Sequence, residues 1–196
     1  MERPKAKAQK TKVAVGISGG VDSAVSAALL KEQGYDLVGV HLYCYDEGPY
    51  CTAPEDRASA VRVAEHLGIP LKIWDLRKEY KERVIRYFFD EYQAGRTPNP
   101  DIMCNREIKF GLFLDKARKE LKVDYVATGH YARIKRDKQG PRLLAGTDHS
   151  KDQSYFLYPL TQDKLEHILF PIGGMTKKEV RTKARELNLP NKSRPD

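Results

Sequence analysis

The chain has 196 residues, 40% hydrophobic and 32% charged, enough for one full core with a small addition and too few for two large domains. No apolar run approaches the roughly 20 residues of a membrane span, and no apolar stretch of a secretory signal follows the charged start, so no membrane partner is expected. The 35 Lys and Arg against 27 Asp and Glu leave a formal charge of +8, which favours a polyanionic partner with nucleic acid foremost, while three cysteines are too few for a disulfide framework and imply a reducing, cytoplasmic setting.

Residues 1–10 are charged and aperiodic and read as a flexible tail. Val13-Ala14-Val15-Gly16-Ile17 reads as a strand buried on both faces, and Val21, Ala24, Val25, Ala28 and Leu29 then recur at helical spacing until Gly34 stops them. Between strand and helix lies Ser18-Gly19-Gly20-Val21-Asp22-Ser23. Its glycines permit positive φ and close backbone approach, so successive N–H groups can converge on an anion at the positive end of the helix. A nucleotide loop of the G-x-x-x-x-G-K-[ST] type would bring a lysine to the phosphates, but here Asp22 precedes the second serine. A carboxylate there needs a cation, and Mg²⁺ between Asp22 and a bound triphosphate, with pyrophosphate as leaving group, is the simplest arrangement; it implies adenylation.

Leu37 to Leu42 is a second strand, followed by a polar, aromatic loop through Tyr50. Pro54 opens a helix with Ala58, Val61, Ala64 and Leu67 inward and Gly68 at its end. Leu71 to Trp74 is a short third strand, and Tyr80, Val84, Phe88 and Tyr92 mark a helix that Gly95 breaks. In Thr97-Pro98-Asn99-Pro100-Asp101-Ile102-Met103-Cys104-Asn105 two prolines stiffen a loop leading into a helix that runs to about Leu121. With Asp101 as N-cap, Cys104 becomes the third helical residue near the positive helix end, with Arg106 and Lys109 one turn on. These favour a thiolate and the Asp101 charge opposes it; an inert, half-buried cysteine is the plain alternative.

Tyr125 to Thr128 is a fourth strand ending in Gly129-His130-Tyr131, and Tyr131 to Ala145 a hairpin. The βαβαβαβ alternation specifies an α/β fold, an open parallel sheet with helices on both faces and ligands beyond the carboxyl ends of its strands. Thr161 to Leu169 and Thr176 to Leu187 read as two further helices, the second opened by the capping box Thr176-x-x-Glu179. The expected organisation is thus a tail over 1–10, a nucleotide-binding catalytic domain over 11–147 and a small helical appendage over 148–196, whose basic stretch from Lys177 to Arg194 suits phosphate contact. The histidines lack zinc-ligand spacing.

The Ser18 to Ser23 loop resembles the SGGxDS signature of the pyrophosphatase-loop (PP-loop) ATPases, whose fold is adenine nucleotide alpha-hydrolase-like and which attach AMP to an oxygen. TPNPDIMCN, followed by Ile108-Lys109-Phe110, resembles the active-site segment of the tRNA-specific 2-thiouridylases, and residues 127–133, 151–157 and 170–177 resemble that family's blocks in the same order. The resemblance implies that Gly16, Ile17, Ser18, Gly19, Gly20, Val21, Asp22 and Ser23 bind ATP with Mg²⁺, that Leu42 and Gly129 flank the adenosine, and that Asn99, Pro100 and Asp101 meet the target base. It implies that Lys151, Asp152 and Gln153 contact tRNA. The activity implied is adenylation of the wobble uridine C2 oxygen, followed by displacement of AMP by sulfur from a persulfide donor protein.

Cys104 matches the family's first catalytic cysteine, which assists sulfur release by forming a disulfide or, in another account, ligates a cluster; Asp101 matches an acid or base acting on the uridine. Cys44, Cys51 and Cys104 could hold an iron-sulfur cluster, although their spacing matches no common ferredoxin run. The family's second cysteine and its β-rich domains follow the point where this chain stops, so an N-terminal portion of a longer protein is expected. Two rival readings are another AMP-forming ligase acting on a small molecule and a non-catalytic RNA-binding module.

Overall fold

Strand β1, Lys12–Gly16, carries Val13, Ala14 and Val15 at 0% exposure, the burial of a strand covered on both faces. A computed structural model describes residues 10–47 and 51–195; of the tail expected over 1–10 only Lys10 falls within them, and Tyr50 falls outside. From β1 the chain runs through α1 (Val21–Glu32), β2 (Asp36–Tyr43), α2 (Ala53–Leu67) and β3 (Leu71–Asp75). Two helical runs then return it across the sheet. The first comprises α3 (Arg77–Tyr80), a π-helical stretch (Lys81–Ile85) and α4 (Arg86–Gln93), and the second α5 (Pro100–Met103), a π-helical stretch (Cys104–Phe113), α6 (Leu114–Lys116) and another π-helical stretch (Ala117–Leu121). After β4 (Tyr125–Ala127) come the antiparallel hairpin β5 (Ala132–Asp137) and β6 (Gly140–Ala145), then α7 (Gln162–Leu165), β7 (Ile168–Leu169) and α8 (Lys177–Glu186).

Five parallel strands form the main sheet in the order β3-β2-β1-β4-β7. The chain moves outward from β1 to β3 and then crosses back to β4 on the other side of β1. That reversal opens a crevice at the carboxyl ends of β1 and β4, where Val15 stands beside Ala127. Side chains alternate across the sheet. Val13 and Val15 enter a core with α1, α2 and α8, whereas Ala14 enters a second core with Ile108, Phe110 and Phe113. Phe113 packs edge-on against Trp74 with ring centroids 5.9 Å apart, and burying such a ring contributes about 1.5–3 kcal/mol. Among the described residues no helix is long and apolar enough to cross a membrane.

Four expectations are corrected. The inward stripe of α2 is Ala60, Val63, Ala64 and Leu67, because Ala58 faces solvent and Val61 is only half-buried; alanines on both faces obscured the phase. Of the helix expected from Thr161 to Leu169 only Gln162–Leu165 forms, and Ile168–Leu169 becomes an edge strand paired with Val126 and Ala127. The helix after the proline loop is capped by Asn99 and not by Asp101: Asn99 Oδ1 accepts from the N–H groups of Asp101 and Ile102 at 3.0 and 3.3 Å, and Pro100 is the first helical residue. Residues from 148 onward are no appendage, since β7 joins the sheet while Ile172, Val180, Ala184 and Leu189, all 0% exposed, complete the core over α1. The capping box at Thr176 and the left-handed Gly68 after α2 are as expected.

Candidate active site

The turn after β1 is held by its own hydroxyls. Ser23 Oγ accepts from the Ser18 N–H at 3.2 Å, lies 3.1 Å from Ser18 Oγ and donates to the Gly20 carbonyl at 3.0 Å. Gly20 is the N-cap of α1 and offers no side chain to the first-turn N–H groups, so the positive end of a twelve-residue helix faces the crevice without a capping side chain. Gly129, just past β4, comes so close that a Cβ there would stand 2.8 Å from Asp22 C and Ser23 N; only glycine allows the end of β4 to meet the start of α1.

Between these turns and the second helical run lies a cavity of about 210 Å³. Gly16, Ile17, Ser18, Ser23 and Gly129 line one side; Val40 and Leu42 at the end of β2 form an apolar wall with Ile108 and Phe113, and Cys104, Lys109 and His130 close it. Residues 104, 108, 109 and 113 share this face on the long π-helical stretch, whose i to i+5 bonding brings residues four and five apart to one side. Such stretches occur often at functional sites.

The remaining loop residues stand around this cavity. Val21 is buried in the core, so only its backbone is available to a ligand. Gly19 and Gly20 complete the turn. Asp22 faces the flank: its carboxylate receives Lys177 Nζ from the start of α8 at 2.7 and 2.9 Å and the Tyr131 hydroxyl at 3.0 Å. The Lys177 side chain is 15% exposed and that of Asp22 30%. Sequence reasoning listed Lys177 only among basic residues suited to phosphate; 155 positions separate it from Asp22, and no local pattern joins them.

Asn99 and Pro100 start α5, where the Asn99 side chain is occupied by capping, and Asp101 is exposed. Lys151 is exposed as well, whereas Asp152 and Gln153 bond internally. Asp152 Oδ1 accepts from the Gly146 N–H at 2.7 Å and its Oδ2 from the Ser154 hydroxyl at 2.8 Å; burial pushes the carboxyl up, but these bonds together hold it below the usual range. Gln153 Oε1 accepts from the N–H of Tyr131, linking this turn to the tyrosine that holds Asp22. Most of the basic stretch is also engaged, with Lys183 on Glu32 and Arg194 on Asp56; Lys178 faces solvent.

The opposing influences on the Cys104 thiol, left open by the sequence, are outweighed by burial. Burial pushes Cys104 above its ordinary pKa of 9.0, Lys109 pulls against that and Asp101 adds to it, so the thiol form is favoured over the thiolate. Cys44, immediately after β2, lines the same cavity and is pushed up to about 12, chiefly by burial. Buried His130 is held well below 6.5 by burial and then by the Lys109 cation, so it is a neutral ring at pH 7, with Nδ1 2.7 Å from Thr128 Oγ1. Cys51 contacts the Tyr45 carbonyl instead of the cavity. Cys44 and Cys104 share the cavity while Cys51 lies outside it, and among the described residues no three His, Cys, Asp or Glu side chains gather for a metal. For Mg²⁺ the fit is better: one loop carboxylate beside the triphosphate place, phosphate oxygens supplying the other ligands.

A family model described as tRNA methyl transferase HUP domain matches residues 11–196. A protein named tRNA-specific 2-thiouridylase MnmA from Pediococcus pentosaceus is 54% identical over 184 residues, 92% of this chain and 48% of that protein. One of the same name from Bacillus velezensis is 50% identical over 191 residues, 96% of this chain and 51% of that protein. The chain therefore spans about half the length of the curated relatives it matches. A solved structure titled as a 4-thiouridine synthetase–RNA complex with bound ATP superposes with a TM-score of 0.61 at 21% identity, over 94% of this chain and 43% of that one, a likeness of fold.

Proposed function

The chain belongs to the tRNA methyl transferase HUP domain family, and on that premise we propose that it binds Mg²⁺-ATP between β1 and β4 and adenylates the C2 oxygen of a tRNA uridine for 2-thiolation. One observation carries this reading: the anion-binding turn and Cys104 line the same cavity, so an activated carbonyl and a sulfur can meet there. The printed name of the relatives agrees with thiolation.

Ser18, Ser23 and the open end of α1 bind the phosphates, while Ile17, Val40 and Leu42 receive the adenosine. Mg²⁺, held by Asp22 and the phosphates, would supply charge neutralisation for the pyrophosphate leaving group. The uridine oxygen attacks the α-phosphorus, and pyrophosphate departs. Sulfur then adds at C2 and AMP leaves with the original oxygen. Cys104 frees that sulfur from a persulfide donor protein: its sulfur bonds to the carrier sulfur, the S–S bond to the transferred atom breaks, and hydrosulfide is released. Neutral His130 and Lys109 line the pocket where this exchange takes place, and exposed Asp101 stands one turn before Cys104 for the uridine. ATP, tRNA and free cysteines together suit a cytoplasmic enzyme.

The test supplies tRNA, Mg²⁺-ATP and a persulfide donor and follows pyrophosphate and thiouridine separately. Pyrophosphate release that requires tRNA is the expected result. Release driven by a small acid instead would favour the ligase reading, and salt-sensitive tRNA binding without nucleotide turnover the binding-module reading.

A further inference from the structure

Beyond α8 the chain turns back over the phosphate turn. Leu189 anchors this return in the core at 0% exposure, and Asn191 and Arg194 then reach a single atom, the Gly19 carbonyl oxygen. Asn191 Nδ2 donates to it at 2.8 Å, Arg194 Nη1 at 3.2 Å, and Ser59 Oγ of α2 at 2.8 Å. The Arg194 guanidinium also pairs with Asp56 of α2. Three donors on an oxygen with two lone pairs is more than hydrogen-bond satisfaction requires.

The consequence lies in the next atoms of the chain. In a trans peptide the carbonyl and the following N–H point in opposite directions. Holding Gly19 O against α2 therefore aims the Gly20 N–H the other way, toward Ser18 Oγ at 3.4 Å and the anion side of the turn. Gly19 has φ +94°, and a Cβ there would stand 2.4 Å from the Asp56 carbonyl oxygen, so both the conformation and the contact demand glycine. Were this peptide to flip, a carbonyl dipole would face the phosphates in place of an N–H.

A second observation separates positioning from ordinary stabilisation. Asn191 is 6% exposed, and its Oδ1 has no partner among the described residues. A buried acceptor without a hydrogen bond costs stability, and an apolar side chain of similar size would avoid that cost. What the asparagine supplies is the Nδ2 donor to Gly19.

We propose that Asn191 and Arg194 are positioning residues for the triphosphate: the returning segment holds the phosphate turn with its N–H groups toward the pyrophosphate moiety of ATP. This rests on the nucleotide site described above. The test compares Asn191→Ala/Arg194→Ala with wild type for affinity toward Mg²⁺-ATP and toward adenosine, which lacks phosphates. A loss of about tenfold for ATP with adenosine unchanged is expected, the size of one well-made hydrogen bond to the ligand. Equal losses for both ligands would reduce the contacts to general structural support and overturn the proposal, as would unchanged ATP affinity. Should the double variant fail to fold, Asn191→Leu, which removes donor and orphan acceptor while filling the space, is expected to keep or raise the melting temperature and still weaken ATP selectively; retained ATP affinity would overturn the proposal. A wild-type chain that binds neither ligand would overturn the nucleotide site itself, whereas wild-type binding with an unaffected variant overturns the positioning role alone.

Discussion

Asp22→Asn is expected to lower tRNA-dependent pyrophosphate release by about a hundred- to a thousandfold, the range seen when one preorganised electrostatic group is removed from an active site. The amide keeps the shape and can still accept from the Tyr131 hydroxyl, so the loop stays in place. What disappears is the charge. That charge has two uses: it pairs with Lys177 Nζ at 2.7 Å, and it offers an anionic ligand to the magnesium of a triphosphate. The same oxygens cannot serve both cations at full strength, so nucleotide entry requires Lys177 to give up part of its hold on Asp22, and the phosphates are the natural alternative acceptors. The variant also loses about 1–3 kcal/mol of stability, since a charge-assisted contact between largely shielded groups is removed. Denaturant titration measures that loss, and a pyrophosphate assay measures the first. Undiminished pyrophosphate release by Asp22→Asn would remove the carboxylate from the reaction.

Cys104→Ser is expected to separate the two half-reactions. Nothing in the phosphate turn depends on the thiol, so tRNA-dependent pyrophosphate release should stay within about threefold of wild type, a change of under 1 kcal/mol in barrier. Thiouridine formation should fall by about a thousandfold or more, as when a nucleophile is deleted. A hydroxyl in the same place cannot form the S–S bond to the carrier sulfur that releases hydrosulfide. The pair of measurements is made on this chain and on a version with the added length of its relatives, each with the persulfide donor. Full thiolation by Cys104→Ser would take Cys104 out of the mechanism, and loss of both steps together would assign it to the fold.

The parts legible in the sequence were those written locally. Ser18 to Ser23 lies between a strand and a helix within a dozen residues, and Gly129 follows a strand directly, so both turns and their place at the strand ends could be read. The helix start at the proline loop was readable too, because Pro100 at the first helical position implies Asn99 as the cap; the choice of Asp101 gave weight to residue type over proline position. The rest depends on tertiary neighbours. The Cys104 thiol is governed by burial in the cavity, which outweighs the Lys109 charge five residues on. The strand Ile168–Leu169 exists only because β4 offers it partners. The Lys177 contact with Asp22 and the Asn191 and Arg194 contacts with Gly19 join residues more than 150 positions apart. Residues after Leu187 carry no periodic pattern to read, yet Leu189 is buried and Asn191 and Arg194 reach the Gly19 carbonyl of the phosphate turn.

The central claim is that nucleotide and Cys104 occupy one cavity, and alkylation of Cys104 with and without nucleotide tests it most directly. Because burial raises this thiol above 9.0, its thiolate and hence its reaction with iodoacetamide should be scarce at pH 7 and grow as pH rises through 9 and beyond. At pH 9, peptide mass spectrometry should find Cys104 alkylation slowed about tenfold or more by saturating Mg²⁺-ATP, as expected for an occluded side chain, with half-buried Cys51, outside the cavity, as the internal control. Equal Cys104 labelling rates with and without saturating Mg²⁺-ATP would contradict the shared cavity and the mechanism built on it.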